Sequence, residues 1–191
     1  MKTKYFLIAI VVVLGAMFNV ISVKAQETQQ KEDKVTLKIR LQPIQTIVVT
    51  PGQKTVEFLY ASTGNYSTGA TESKADHLTV FSTGGFEVKV QAKGDFTREG
   101  TGGGSIPVSD VTVSAIAAGA GDKNVRAFSQ VTLSTAAGSL ITAEKGGRDM
   151  KYTVTYDNTA GGGDKYIDKY IASDMTESVY TTEVTYTIAA K

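Results

Sequence analysis

The sequence predicts an all-β fold, an Ig-like/Greek-key antiparallel β-sandwich of about nine strands, and three observations carry that expectation. Apolar side chains recur at every second position in one segment after another. Threonine is abundant, and β-branched side chains suit a pleated surface. Turn signals built from Gly, Pro, Asn and Ser separate the segments at regular spacing. Each alternating segment has one apolar and one polar face, so two antiparallel sheets joined through their apolar faces are the natural architecture.

The first 25 residues stand apart from this pattern. Lys2 and Lys4 precede an apolar run that ends in Val23-Lys24-Ala25, the form of an export signal cleaved to leave Gln26 as the new N-terminus. The alternative is an uncleaved anchor, since the run is almost long enough to span a bilayer. Residues 26–33, QETQQKED, lack any apolar period and read as a flexible leader. Residues 34–191 then read as one β-sandwich domain with no internal linker.

Within it, Val35, Leu37, Ile39 and Leu41 alternate with Thr36, Lys38 and Arg40, which predicts a first strand. It is expected to pair within its own domain or to be donated to another copy, since strand addition needs alternate apolar anchors. Residues 44–50 form a second β-rich run, Pro51-Gly52 a turn, and Val56, Phe58 and Tyr60 resume the alternation. Residues 61–77 have no apolar period and read as a long surface loop. Residues 78–82 and 86–92 flank Thr83-Gly84-Gly85 and predict a hairpin. Pro107 places the strand around residues 108–113 at an edge or start. Further strands are expected at 125–134, 140–143, 150–157 and 178–190, with a short helical turn where Asp164-Lys165-Tyr166-Ile167 repeats as Asp168-Lys169-Tyr170-Ile171.

Composition bounds the chemistry. The chain has 191 residues with no Cys and a single His, which excludes disulfides, thiolate metal sites and any site needing two imidazoles. Losing residues 1–25 removes three lysines, so the 20 basic side chains become 17 against 19 acidic ones, a net charge of −2. A nearly neutral chain has little long-range attraction for nucleic acid, and no stable membrane span is expected after signal cleavage. A serine hydrolase would have to use His77, yet no G-x-S-x-G elbow occurs, and His77 reads better as a histidine bonded to a loop backbone. Carboxylates at Glu72, Asp76, Asp95, Glu99, Asp157, Asp164 and Asp168 fall in expected loops, where they keep the loops solvated rather than form a catalytic pair. The run at residues 101–105 lacks the Lys-Ser/Thr of a phosphate-binding loop.

Two weaker constellations remain. Asp157, Asn158, Asp164 and Asp168 offer hard oxygen ligands of the kind calcium prefers, without the regular loop spacing of a calcium hand, so no cofactor is expected. Tyr66, Tyr166 and Tyr170 would stack on sugar rings if exposed; the alternative packs Tyr166 and Tyr170 across the open end of the sandwich. Asn65-Tyr66-Ser67 matches a glycosylation sequon, a triplet common by chance.

The segments HLTVFSTGGFEVKVQA (residues 77–92), IPVSDVTV (106–113) and YTTEVTYTI (180–188) together resemble small exported β-sandwich surface proteins of the Bacteroidetes type and, more distantly, fimbrial and spore-coat-U-like subunits. The chain departs from chaperone-usher pilins in lacking a cysteine pair and in carrying Ala190 at the penultimate position. The resemblance implies a non-enzymatic structural or adhesive protein of the periplasm, outer surface or exterior, whose partners are itself or other surface proteins. The competing expectation is a polysaccharide- or peptidoglycan-binding module that uses the loop tyrosines.

Overall fold

The computed structural model describes residues 31–100, 104–118, 126–169 and 177–191. The chain divides into two units, Met1–Arg40 and Leu41–Lys191, and every described strand and helix belongs to the second. The expected export signal and residues 26–30 of the leader lie outside the described residues. Among the described residues no helix is long and apolar enough to cross a membrane.

In chain order the strands are β1 (Gln45–Val49), β2 (Ala70–Ser82), β3 (Phe86–Ala92), β4 (Phe96–Arg98), β5 (Ser105–Ile106), β6 (Thr112–Ala117), β7 (Arg126–Phe128), β8 (Val131–Thr132), β9 (Gly138–Ala143), β10 (Gly147–Asn158), β11 (Tyr180–Thr181) and β12 (Val184–Ala190). One short helix, α1 (Thr63–Thr68), precedes β2. A five-stranded sheet has the order β1-β2-β10-β6-β8, a four-stranded sheet the order β12-β3-β9-β7, and a small ladder joins β11, β4 and β5. All pairings are antiparallel, so the fold is the all-β sandwich that the alternation predicts. The core is where the two apolar faces meet: Leu78, Val80, Val113, Tyr152 and Val154 from one sheet, Phe86, Val88, Val90, Leu140 and Ile141 from the other. Burying each such side chain contributes roughly 1.5–3 kcal/mol, which replaces the covalent staples that the cysteine-free chain lacks.

Several expectations are corrected. Residues 31–43 carry no strand, so the first strand expected at 35–41 is not formed, and its apolar side chains are exposed. The expected loop at 61–77 holds α1 and the first half of β2 instead. Its sequence hides the strand because the residues before His77 alternate between half-buried and exposed, with no apolar side to show. A bulge ends that stretch: between Lys74, opposite Val154, and Leu78, opposite Tyr152, β2 spends Ala75, Asp76 and His77 against the single β10 residue Thr153, and Asp76 takes φ 52°. The two extra residues break the alternation, and two consecutive side chains, His77 and Leu78, are buried.

The expected hairpin across Thr83-Gly84-Gly85 is not a ladder. β2 pairs with β1 and β10, whereas β3 pairs with β12 and β9, so the turn carries the chain from one sheet to the other. An apolar face looks the same in sequence whether its neighbour lies beside it or opposite it. The same transfer splits the strand expected at 125–134 into β7 and β8, which lie in different sheets, and the last one into β11 and β12. Residues 54–61 are extended, with Val56, Phe58 and Tyr60 turned inward, but they belong to no sheet. The helical turn expected near Tyr166 is present as a 3-10 turn at Ile167–Lys169.

Candidate functional site: an aromatic groove at one end of the sandwich

β10 ends at Asn158 opposite Ala70, and β6 begins beside them at Thr112, so this end of the larger sheet gathers three chain reversals. Helix α1 forms the first. Ser62 caps it, its hydroxyl accepting the Asn65 amide while the Asn65 side chain accepts the Ser62 amide. The loop after β10 then docks on α1, where Gly163 and Asp164 donate backbone hydrogen bonds to Ser67 and Tyr66 carbonyls at 2.8 and 2.9 Å. That docking brings Tyr66 and Tyr166 to either side of Tyr60, each 5.3 Å from it between ring centroids and edge to face.

Beneath the rings lies a closed polar layer. Asp110 and Asn158 are 5% and 3% exposed. The Tyr60 hydroxyl donates to Asn158 Oδ1 at 2.6 Å, and Asn158 Nδ2 donates to the Asp110 carbonyl at 3.0 Å and to the Tyr166 hydroxyl at 3.1 Å. Tyr166 in turn donates to Asp110 Oδ2 at 2.9 Å, and Lys165 Nζ reaches Asp110 Oδ1 at 2.6 Å. Every polar atom of Asn158 is thereby used, as buried amides require. Burial, with the Asp110 carboxylate adding to it, pushes the Tyr60 phenol up to about 12, and burial raises Tyr166 as well. Both rings stay neutral through the physiological range.

Above this layer is a cavity of about 280 Å³ walled by Phe58, Tyr60, Tyr66, Phe96, Tyr166 and Tyr180, with Glu57, Lys169 and Glu177 also lining it. A second cavity, of about 310 Å³, shares Phe58 and Phe96 with the first and continues along Val56 towards β12, where Val184 and Tyr186 border it. Both lie beside the stretch 54–60, with Phe58 and Phe96 as shared wall.

The second cavity also touches His77. Gln53 Nε2 donates to the Ala75 carbonyl, which turns its Oε1 towards His77 Nδ1 at 3.1 Å. Nδ1 therefore carries the proton, and Nε2 accepts from the Tyr156 hydroxyl at 2.8 Å, which accepts from Tyr186 at 2.6 Å. Among the described residues no serine joins this chain. Burial first, and the Lys74 charge second, lower the His77 pKa from the ordinary imidazole value. A histidine depressed in the folded state gives stability that is complete above the unfolded pKa of about 6.5 and falls as pH drops through the folded one. The thermal midpoint should therefore fall between pH 7 and pH 5 more steeply in the wild type than in His77→Gln, whose side chain takes up no proton; equal slopes would remove His77 from the account.

The sequence-predicted residues fare differently. Tyr66 and Tyr166 are brought together, with Tyr166 packed across the end of the sandwich and 7% exposed; Tyr170 lies outside the described residues. Of the oxygen ligands, Asn158 is committed to the polar layer, Asp157 accepts from the Thr159 amide at 2.8 Å, and Asp164 and Asp168 are exposed. Among the described residues no group of three or more His, Cys, Asp or Glu side chains could hold a metal ion. Val35, Leu37, Ile39 and Leu41 are exposed at 85% to 90%. Sequence reasoning passed over Tyr60, Lys165 and Asp110. An acid set between Val108 and Val111 in IPVSDVTV is the signal that could have found the last, since a charge inside an apolar run needs a buried partner. No protein-family model matches this chain, and no curated protein is similar to it in sequence.

Proposed function

We propose that the chain is a non-enzymatic, exported structural or adhesive surface protein, a fimbria-like or coat-like subunit that associates with copies of itself through residues 35–41. One observation carries the reading: four large aliphatic side chains, alternating as a strand requires, stand in water on a stretch that has no ladder. Contiguous exposed apolar side chains mark interaction sites, and alternate anchors are what a strand added to another sheet presents. The same region comes just after the polar leader at residues 26–33, near the N-terminus that cleavage of the expected export signal would leave.

The geometry supports the polysaccharide-binding alternative less. Sugar stacking needs an open ring face, whereas Tyr166 is turned inward with its hydroxyl engaged on both sides. The test is the solution mass of the exported protein, measured by light scattering over a wide concentration range. The mass should grow with concentration in the wild type and stay at that of one chain in the double variant Leu37→Asp, Ile39→Asp. A wild-type mass that never rises would overturn the reading.

A further inference from the structure

We infer that the surface receiving residues 35–41 is the extended stretch 54–60 of a second copy, with Lys38 of one copy opposite Glu57 of the other. The inference rests on the self-associating reading above and names its acceptor. Residues 55–61 show strand-like alternation of exposed and half-buried side chains, yet among the described residues no backbone hydrogen bond joins them to any neighbour. An extended segment whose peptide groups lack partners is a template for another strand.

Side-chain period and charge set the register. Leu37 and Ile39 flank Lys38 as Val56 and Phe58 flank Glu57, so pairing Lys38 with Glu57 puts apolar beside apolar in either strand direction. Val56 and Phe58 already point inward, and the groove beside them has cavities of about 280 and 310 Å³ towards which the added Leu37 and Ile39 would turn. Glu57 is exposed and makes no salt bridge among the described residues, and Lys38 is likewise without one. Lys54 and Lys169 also border the groove, so the opposed pair rather than net charge carries the match.

The experiment is a charge swap read by light scattering on the exported protein. Lys38→Glu and Glu57→Lys should each weaken self-association by about fivefold, since like charges would then face each other across the ladder. Combining both changes in one chain should restore the wild-type dependence on concentration. Mixing the two single variants should also restore growth of the mass with concentration, because the donor stretch of each then faces an acceptor of opposite charge on the other. Both substitutions are on exposed side chains, and an unchanged thermal midpoint would show that they leave the fold intact. If Leu37→Asp, Ile39→Asp abolishes association while the Glu57 variants leave it unchanged, the acceptor lies elsewhere, for example along the uncharged outer edge of β1, and this inference fails while the proposed function stands. A wild type that stays a single chain overturns both.

Discussion

Replacing Gly161 with alanine is expected to lower the free energy of unfolding by about 3 kcal/mol, the upper part of the range for overpacking a filled interior. A Cβ there would collide with the Tyr166 ring, lie 2.5 Å from the Tyr60 hydroxyl and 2.8 Å from Asn158 Oδ1. The ends of side chains can often move aside. These cannot, because Tyr60 is bonded to Asn158 and Tyr166 to both Asn158 and Asp110, so making room for one methyl group breaks the layer. Gly84 is the control, since a Cβ at that position meets nothing within 4 Å and its alanine variant should stay within about 0.5 kcal/mol of wild type. Urea denaturation measures both, and a Gly161→Ala midpoint equal to that of Gly84→Ala would show that the layer yields.

Asp110→Ala is the second large effect, expected at about 2–3 kcal/mol, because the buried Tyr166 hydroxyl loses its acceptor and a void replaces the carboxylate. The ion pair itself contributes little of this. Lys165 is 44% exposed and can return to water when its partner is removed. Asp110→Asn separates the two contributions, since its amide oxygen still accepts from Tyr166 while the charge is gone, and it should cost about 1 kcal/mol. If the asparagine variant were as unstable as the alanine one, the charge rather than the hydrogen bond would be holding this end together.

These two sites mark the limit of what was legible in the sequence. Period-two alternation exposed β3, β10 and β12 because each has one buried or half-buried apolar face, and β1 showed as a β-rich run. It missed the first half of β2, where the ladder with β10 satisfies the backbone although neither side of the strand is apolar. Nor could alternation tell a strand's neighbour in the sheet from its neighbour across the core, which is why the turn at Gly84-Gly85 looked like a hairpin. Tyr66 and Tyr166 were singled out as rings on loops. Their meeting at Tyr60 depends on contacts 98 residues apart in sequence, between Tyr60 and Asn158, and no local pattern encodes such a distance. Residues 35–41 show the converse: a clean strand pattern with no ladder, since the sequence specifies a strand's faces and not the sheet it joins.

The position of β10 has a consequence for the order in which the molecule can be made. It stands between β2 and β6, and it begins only at Gly147, so a growing chain holds two halves of its larger sheet with nothing to join them until most of its length is available. The smaller sheet waits longer still, because β3 takes as one of its two neighbours the C-terminal strand β12. Pairings of such separation are slow to form, since the intervening chain must be closed into a loop before any contact repays the lost entropy. A chain made from its N-terminus thus stays unlocked for most of its synthesis, and it closes into a sandwich only when β12 becomes available.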